Sequence, residues 1–312
     1  MSILRSIYYT LRPAIPRSLQ VGIHKYHNIL KRKSYEAIWP IDETAGASPD
    51  DWQGWPEGKR FALILTHDVE LLSGQEKCPV VANIEKELSL CSSFNFVPER
   101  YIKSEEVHQY LKENGFEIGV HGLIHDGKLY ASKEIFKQRA IKINKYLKDW
   151  GAVGFRSPAM HHNLDWIHYL DIEYDLSTFD TDPFEPQPDG VKTIFPFWVN
   201  GKDDKGYIEL PYTIPQDSTL FIFMNEKNIN IWKKKVDWIV KKGGMVLINT
   251  HPDYMNFSGI KLKQEEYPAV YYKELLEYIV SNYNNQFWNV LPKELARYMK
   301  SSQKKLIKVE DI

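Results

Sequence analysis

Apolar segments that end at acidic or imidazole side chains restrict the folds open to this 312-residue chain more than any other feature. One such segment precedes Asp68 and Glu70, a second precedes His121 and His125, and a third leads to His251. In α/β barrels the carboxyl ends of the parallel strands meet at one face, and active sites lie there. The sequence therefore predicts an α/β protein whose ionisable side chains gather at one end of its strands.

Strand-like and helix-like segments alternate over residues 60–300. Strands are predicted at 61–66, 92–97, 116–120, 153–155, 173–177, 208–212, 220–224 and 245–249, and helices at 79–90, 104–114, 132–150, 163–170, 228–242, 268–281 and 292–299. This alternation favours a parallel sheet, either a barrel or a doubly wound sheet. Residues 180–206 are rich in proline and are predicted to be an irregular loop.

The chain divides by charge into three predicted parts. Residues 1–56 form a basic arm and a linker, residues 57–300 the main domain, and residues 301–312 a charged tail. Up to Lys33 the chain contains Lys and Arg but no acidic residue, with apolar residues at helical spacing. Two interpretations stay open for residues 1–33, an anchor on an anionic membrane surface and a helix docked on the domain.

Composition limits the partners and the compartment. The formal net charge of −1 gives no reason to expect nucleic acid as a partner. The two cysteines, Cys78 and Cys91, imply no disulfide framework and fit a reducing compartment. We find neither a continuous apolar signal segment nor an apolar stretch long enough to span a bilayer, and we expect a cytoplasmic protein, with the inner membrane face as an alternative site.

The ionisable residues at the strand ends have the composition of a metal site. His121 and His125 lie four residues apart, so one helical turn would place both imidazoles on one side. Imidazole and carboxylate ligands suit zinc, with cobalt, manganese or nickel as alternatives. Asp68 and Glu70 are two residues apart, so one can hold the metal while the other takes a proton from water. The sequence therefore predicts a divalent-metal site.

Two further ionisable residues follow predicted strands. Arg156 is placed to hold a catalytic carboxylate through a bidentate contact, although a surface arginine is the alternative. His251 is placed to protonate a leaving group, and Asp253, two residues later, would help to keep it charged. Alone, a histidine at such a position is more often structural.

Together these motifs resemble those of the polysaccharide deacetylases, the NodB-homology family of carbohydrate esterases. The resemblance rests on the runs 66–70, 121–125, 156–158 and 248–251, which occur in the family's order and with its approximate spacing. It covers residues 60–300. Each motif alone is weak, and the combination is specific.

The resemblance implies a distorted (β/α)7 barrel and metal-dependent N-deacetylation. It implies that Asp68 is the base, that Arg156 orients Asp68, and that His251 is the acid. His121 and His125 would be metal ligands.

The resemblance also suggests residues around the substrate. The backbone amide of Ala159 would stabilise the oxyanion, and Asp175 and His161 are placed with it in the substrate group. Asp180 and Asp182 are nearby candidates for tuning a site histidine.

Three positions depart from the family pattern. Val69 stands where most members have a metal-binding aspartate, and a side branch with an Asp-x-Glu run puts Glu70 on the metal instead. That branch includes cyclic-imide and ureide hydrolases, so the bond that is cleaved stays open. Gly122 replaces a Ser or Thr, which would remove a supporting hydrogen bond, and Ala159 replaces an aromatic residue, which would widen the site.

Three functions are therefore considered. The first is removal of N-acetyl groups from an N-acetylated sugar or glycan precursor in surface polysaccharide metabolism, with a lipid-linked or nucleotide-linked sugar as substrate. The second is an allantoinase-like or imidase-like hydrolysis of a small cyclic amide. The third is a catalytically inactive carbohydrate-binding barrel, against which the presence of base, ligands, arginine and acid together argues.

Overall fold

The computed structural model describes residues 31–50, 52–201, 205–260 and 262–302. The predicted arm therefore lies outside the described residues, except for Lys31, Arg32 and Lys33, as does the tail from residue 303. None of the described helices combines the length and apolar character that crossing a membrane requires.

Short strands alternate with helices through most of the described chain. The strands are β1 Phe61–Val69, β2 Ser92–Phe96, β3 Glu117–His121, β4 Gly154–Arg156, β5 Tyr174–Asp175, β6 Phe197–Asn200, β7 Gly206–Glu209, β8 Met245–Thr250, β9 Met255–Asn256, β10 Tyr267–Pro268 and β11 Phe287–Asn289. The α-helices are α1 Leu72–Glu87, α2 Glu105–Glu113, α3 Lys133–Trp150, α4 Leu164–Ile167, α5 Asn230–Lys242, α6 Val270–Asn282 and α7 Pro292–Ser302.

The sheet confirms the distorted barrel. Parallel pairing runs in the order β8-β1-β2-β3-β4-β5-β7. Beyond β7, the amides of Thr213 and Ile214 both donate to the Leu247 carbonyl of β8 at 3.2 Å, which joins the two edges. The β6 strand is antiparallel to β7, and β11 pairs with the first residues of β1.

Strands β1 and β8 form the centre of the core. Every residue of both strands is buried, as expected for parallel strands that are covered on both faces. The β1 strand continues three residues beyond its predicted end at Thr66, because its second half pairs with β2. Asp68 is therefore part of a buried strand and does not lie in a loop after it.

Helix α1 begins at Leu72, seven residues before the predicted start at Pro79. The carboxylate of Asp253 accepts hydrogen bonds from the backbone amides of Leu71 and Gly74, at 2.9 and 3.1 Å, and so caps the first turn. Because the capping group follows β8, more than a hundred residues later, local sequence could not reveal this start.

The predicted strand at 220–224 is wrong. Residues Ser218–Phe223 form a single π-helical turn, and the Asp217 side chain accepts a hydrogen bond from the Ser218 amide at its start. A buried apolar run of this length does not distinguish strand from helix by periodicity. The β6 and β11 strands were not predicted, and β6 lies in the segment predicted to be an irregular loop.

The described residues of the predicted linker pack on the barrel. Trp39, Ala45 and Trp55 are buried in the main core. The indole Nε1 of Trp55 donates to the Gly243 carbonyl at 2.8 Å, and the Ile194 amide donates to the Ala45 carbonyl at 3.1 Å. In the described chain, packing contacts with the barrel therefore extend to residues before position 57.

Candidate active site

Glu70, His121 and His125 meet at the carboxyl ends of β1 and β3. One ligand atom from each lies within 4.8 Å of the other two, and this group contains Glu70 and not Asp68. The Nε2 atom of His125 lies 3.0 Å from Glu70 Oε1. These three residues are the ones predicted as metal ligands from sequence.

The hydrogen bonds of the two histidines fit a metal. The Nδ1 atom of His121 lies 3.1 Å from the Arg156 carbonyl oxygen. This contact places the ring proton on Nδ1 and leaves Nε2 unprotonated, with its lone pair available to a metal. Burial lowers the pKa of His121 to about 4, so its imidazole is neutral at pH 7. In the described chain, the buried Nε2 atom of His121 has no hydrogen-bond partner, and Nε2 of His125 lies beside the Glu70 carboxylate. Two imidazole nitrogens that converge with a carboxylate suit a divalent cation such as zinc.

The turn between the two histidines requires glycine at position 122. Gly122 has a φ of +62°, and a Cβ there would lie 2.4 Å from Pro158 Cγ. Its amide donates to the Arg156 carbonyl at 2.9 Å. Glycine stands here in place of the Ser or Thr of the family pattern because residues 156–158 approach closely. No side chain fits at position 122 without a shift of Pro158.

Asp68 is buried next to the ligand group and has three hydrogen-bond donors. Asn249 Nδ2 donates to Oδ2 at 2.9 Å, whereas Asn95 Nδ2 and Arg156 Nη1 each donate to Oδ1 at 3.1 Å. Burial alone would raise the pKa of Asp68, but the charge of Arg156, the nearby imidazoles of His121 and His251 and the hydrogen bond from Asn249 hold it well below its usual value. Asp68 is therefore an anion that can accept a proton.

Arg156 is fully buried and contacts Asp68 through Nη1 alone. Its Nε donates to the Leu176 carbonyl at 3.0 Å, and Nη1 also contacts Thr66 Oγ1 at 2.9 Å. The sequence-based expectation of a bidentate clamp is thus corrected. The guanidinium group divides its donors between the Asp68 carboxylate and the barrel framework, which fixes its position.

His251 is held by Asp217. The Nδ1 atom of His251 lies 2.7 Å from Asp217 Oδ1, and its backbone amide donates to Oδ2 at 2.7 Å. Burial would lower the pKa of His251, but the Asp217 carboxylate, with smaller contributions from Glu70 and Asp68, raises it to about 10. The other ring nitrogen, Nε2, faces the site, 4.0 Å from Asp68 Oδ2 and 3.9 Å from Glu70 Oε1.

The three aspartates that sequence suggested for tuning a histidine have other partners. Asp253 accepts from the Glu70 and Leu71 amides. Asp180 pairs with Lys235 at 2.5 Å, and Asp182 accepts from the Tyr212 hydroxyl at 3.0 Å. Asp253 therefore helps to fix the backbone of the ligand Glu70, and its direct contacts are not with His251.

The three residues of the predicted substrate group differ in placement. Ala159 is half-buried in the 3₁₀ turn Pro158–Met160 after β4, with a φ of +54°. His161 is buried, and its amide donates to the Pro158 carbonyl at 3.3 Å. Asp175 is fully buried and accepts from the Ser177 amide and hydroxyl, so its carboxylate is not placed to contact substrate.

Sequence reasoning missed three residues of the site, namely Asp217, Asn95 and Asn249. The asparagines carry a weak signal, because a polar amide inside an apolar strand needs a buried partner. Asp217 carries no local signal, because it precedes the predicted strand at 220–224 and its partner His251 lies 34 positions later.

Comparison with known proteins identifies the fold. No protein-family model matches the sequence, and no curated protein does. A Mycobacterium smegmatis protein assigned as a polysaccharide deacetylase superimposes with a TM-score of 0.64 at 17% identity, covering 82% of this chain and 95% of that one. A Pseudomonas aeruginosa PAO1 protein assigned likewise gives 0.63 at 14% identity, with 84% and 99% covered.

The Puue allantoinase is similar to the same degree, with a TM-score of 0.63 at 15% identity and with 86% of this chain and 99% of that chain covered. The fold implied by the motif resemblance is thus confirmed. Fold and site together define a barrel of the type found in polysaccharide deacetylases and in an allantoinase, with ionisable residues at the ends of its strands.

Proposed function

We propose that this protein is a metal-dependent hydrolase that removes N-acetyl groups from an N-acetylated sugar or glycan precursor in surface polysaccharide metabolism. The observation that carries the proposal is the convergence of Glu70, His121 and His125 beside an anionic Asp68 and a charged His251. Structures of two proteins assigned as polysaccharide deacetylases share the fold and support it.

Glu70, His121 and His125 would hold the metal, and zinc suits this mixture of imidazole and carboxylate. A bound divalent cation supplies polarisation of the amide carbonyl and a lowered pKa of water. The chain itself supplies the neutral state of His121, through burial, and the orientation of that ring, through the Arg156 carbonyl.

Asp68 would act as the general base. Its carboxylate is ionised, and the donors Asn95, Asn249 and Arg156 hold it in one orientation. A base that is fixed in this way can take a proton from the attacking water without a change of rotamer. Arg156 is a positioning residue in this scheme, because it touches the base and not the reacting atoms.

His251 would act as the general acid. Asp217 binds Nδ1, so the proton available for transfer is on Nε2, the atom that faces Asp68 and Glu70. An amine leaves poorly unless it is protonated, and Nε2 can supply that proton. The Ala159 amide is proposed to donate to the oxyanion as it forms.

The bond that is cleaved is tested by two assays on one zinc-loaded preparation. Release of acetate from N-acetylhexosamine glycosides supports deacetylation, and ring opening of allantoin without acetate release supports the function of the allantoinase neighbour. His125→Ala is the control in both assays, since residual activity in that variant would come from a contaminant.

A further inference from the structure

The loops around the candidate active site expose aliphatic side chains. The aliphatic rim consists of six residues, Leu71, Leu72, Ile102, Ile124, Ile260 and Leu262. Ile102 and Ile260 are 87% and 73% exposed, so their side chains project into solvent. Exposed apolar surface on a soluble protein can mark a ligand-binding site.

The topology places the rim at the mouth of the site. Leu71 and Leu72 follow β1, Ile102 lies between β2 and α2, and Ile124 lies between β3 and α3. Ile260 and Leu262 follow β8, on the connection between β9 and β10. Because β1, β2, β3 and β8 are parallel, these loops all leave the end of the barrel that carries Glu70, His121 and His251.

Hydrogen bonds tie three of these loops to one another. The Glu99 amide donates to the Leu123 carbonyl at 2.8 Å, which joins the β2–α2 loop to the histidine turn. The Tyr101 hydroxyl donates to the Val69 carbonyl at 2.7 Å, and Gln75 Nε2 donates to the Ile102 carbonyl at 3.2 Å. The backbone thus holds Ile102 outward on a connected frame, so its exposure is a feature of the fold.

The chemistry of the rim indicates the kind of occupant. Sugar rings offer hydroxyl groups and pack on flat aromatic faces, whereas the rim offers branched aliphatic groups. Phe257 is the exposed aromatic residue on the described part of the loop after β8. Branched aliphatic surface gains free energy mainly from burial of other apolar surface. The rim therefore suits a saturated or isoprenoid chain better than a second sugar unit.

We propose that the aliphatic rim binds a long aliphatic chain attached to the substrate, so that the reacting sugar is delivered as a glycolipid. The inference rests on the proposed function for the identity of the reacting group, but the chain-binding surface can be measured without turnover. The occupant is the substrate's own chain, because the loops that carry the rim leave the same end of the barrel as the metal-ligand cluster.

The test compares two probes, the methyl and dodecyl β-glycosides of N-acetylglucosamine, each below its micellar concentration. Their dissociation constants are measured by titration calorimetry with the full chain loaded with zinc. The dodecyl probe is expected to bind at least about tenfold more tightly, since each buried methylene contributes to transfer from water. In the double variant Ile102→Ser/Ile260→Ser, the dissociation constants of the two probes should become nearly equal. The affinity for the methyl probe should not change.

Ile141→Ser is the matched control. Ile141 is 74% exposed, close to the value for Ile260, but lies on α3 and not on the rim. It should keep the wild-type ratio of the two dissociation constants. Equal affinities of the two probes in wild type, or the same ratio in wild type and the double variant, would overturn the proposal.

Two further measurements separate the sources of failure. If neither probe releases acetate but the chain-length ratio depends on the rim, the proposed function fails and the rim proposal stands. If the double variant loses binding to phosphatidylcholine vesicles while its probe ratio stays at the wild-type value, the occupant is the bilayer. That second result overturns the assignment to the substrate chain.

Discussion

The Nδ1 atom of His251 lies 2.7 Å from Asp217 Oδ1, although 34 positions separate the two residues. Asp217 also accepts from the His251 and Ser218 amides and from the Tyr267 hydroxyl, so four hydrogen bonds fix its carboxylate. This contact decides the protonation state of the proposed acid. It charges His251 at neutral pH, where burial alone would favour the neutral ring.

Asp217→Asn should therefore move the alkaline limb of the pH–rate profile to lower pH. Without the carboxylate, burial lowers the pKa of His251, so the charged acid is lost as pH rises at a lower value than the wild-type pKa of about 10. At pH 8 we expect kcat/KM to fall by about 10²-fold, at the lower end of the range for a missing general acid. Asp253→Asn is the comparison, and its alkaline limb should move much less.

Asp68→Asn should retain metal and lose turnover. An amide keeps the shape of the side chain but cannot accept the proton of water, and a loss of about 10²–10⁴ in kcat is expected for a missing base. Metal content and acetate release are measured on the same sample. If the variant purifies without metal, Asp68 is the ligand and the roles of Asp68 and Glu70 are reversed.

Gly122→Ala should destabilise the protein more than Gly151→Ala. Both glycines have a positive φ, but a Cβ added at Gly122 would also meet Pro158. Gly151 has a φ of +65°, and a Cβ there meets nothing within 4 Å. Gly151→Ala should cost about 1–2 kcal/mol for the left-handed conformation, and Gly122→Ala about 1–3 kcal/mol more because of the contact with Pro158. Chemical denaturation measures both, and equal losses would show that Pro158 yields without cost.

Glu117→Gln should change how stability depends on pH. Burial raises the pKa of Glu117 from 4.5 to about 7, in spite of donors from the Lys293 amide and the Tyr174 hydroxyl. The folded state therefore binds a proton more tightly than the unfolded chain. The contribution of Glu117 to the free energy of unfolding is complete below about pH 4.5 and is lost as pH rises through 7. The slope of this loss is at most about 1.4 kcal/mol per pH unit.

Urea unfolding of wild type and Glu117→Gln between pH 4.5 and 8 checks this slope. As pH rises, the free energy of unfolding of Glu117→Gln should increase relative to that of wild type. Glu113→Gln, at an exposed site on α2, serves as control and should show no such trend. A constant difference between wild type and Glu117→Gln would contradict the expectation.

The parts of the site that sequence revealed are those encoded within one strand end. His121 and His125 belong to one turn, and Glu70 follows β1 directly, so short-range spacing was enough to predict that they gather. Parallel strand order then follows from the alternation of strands and helices. The same logic placed Asp68, Arg156 and His251 at the common end of the barrel.

The parts that sequence did not reveal depend on contacts across the barrel. Asp217 reaches His251 from the position just before a π-helical turn, and most of that turn was predicted to be a strand. The cap of α1 comes from Asp253, 182 positions after Leu71. Such partners become visible only when the barrel closes, because no spacing rule links the residues concerned.

The metal site is the central claim, and metal content tests it most directly. Wild type and His125→Ala are purified in parallel, equilibrated with zinc, freed of excess ion and measured by elemental analysis. Wild type should hold about one zinc per chain, and His125→Ala should lose most of it because one of the three ligand groups has been removed. Equal zinc content in the two proteins would contradict the claim.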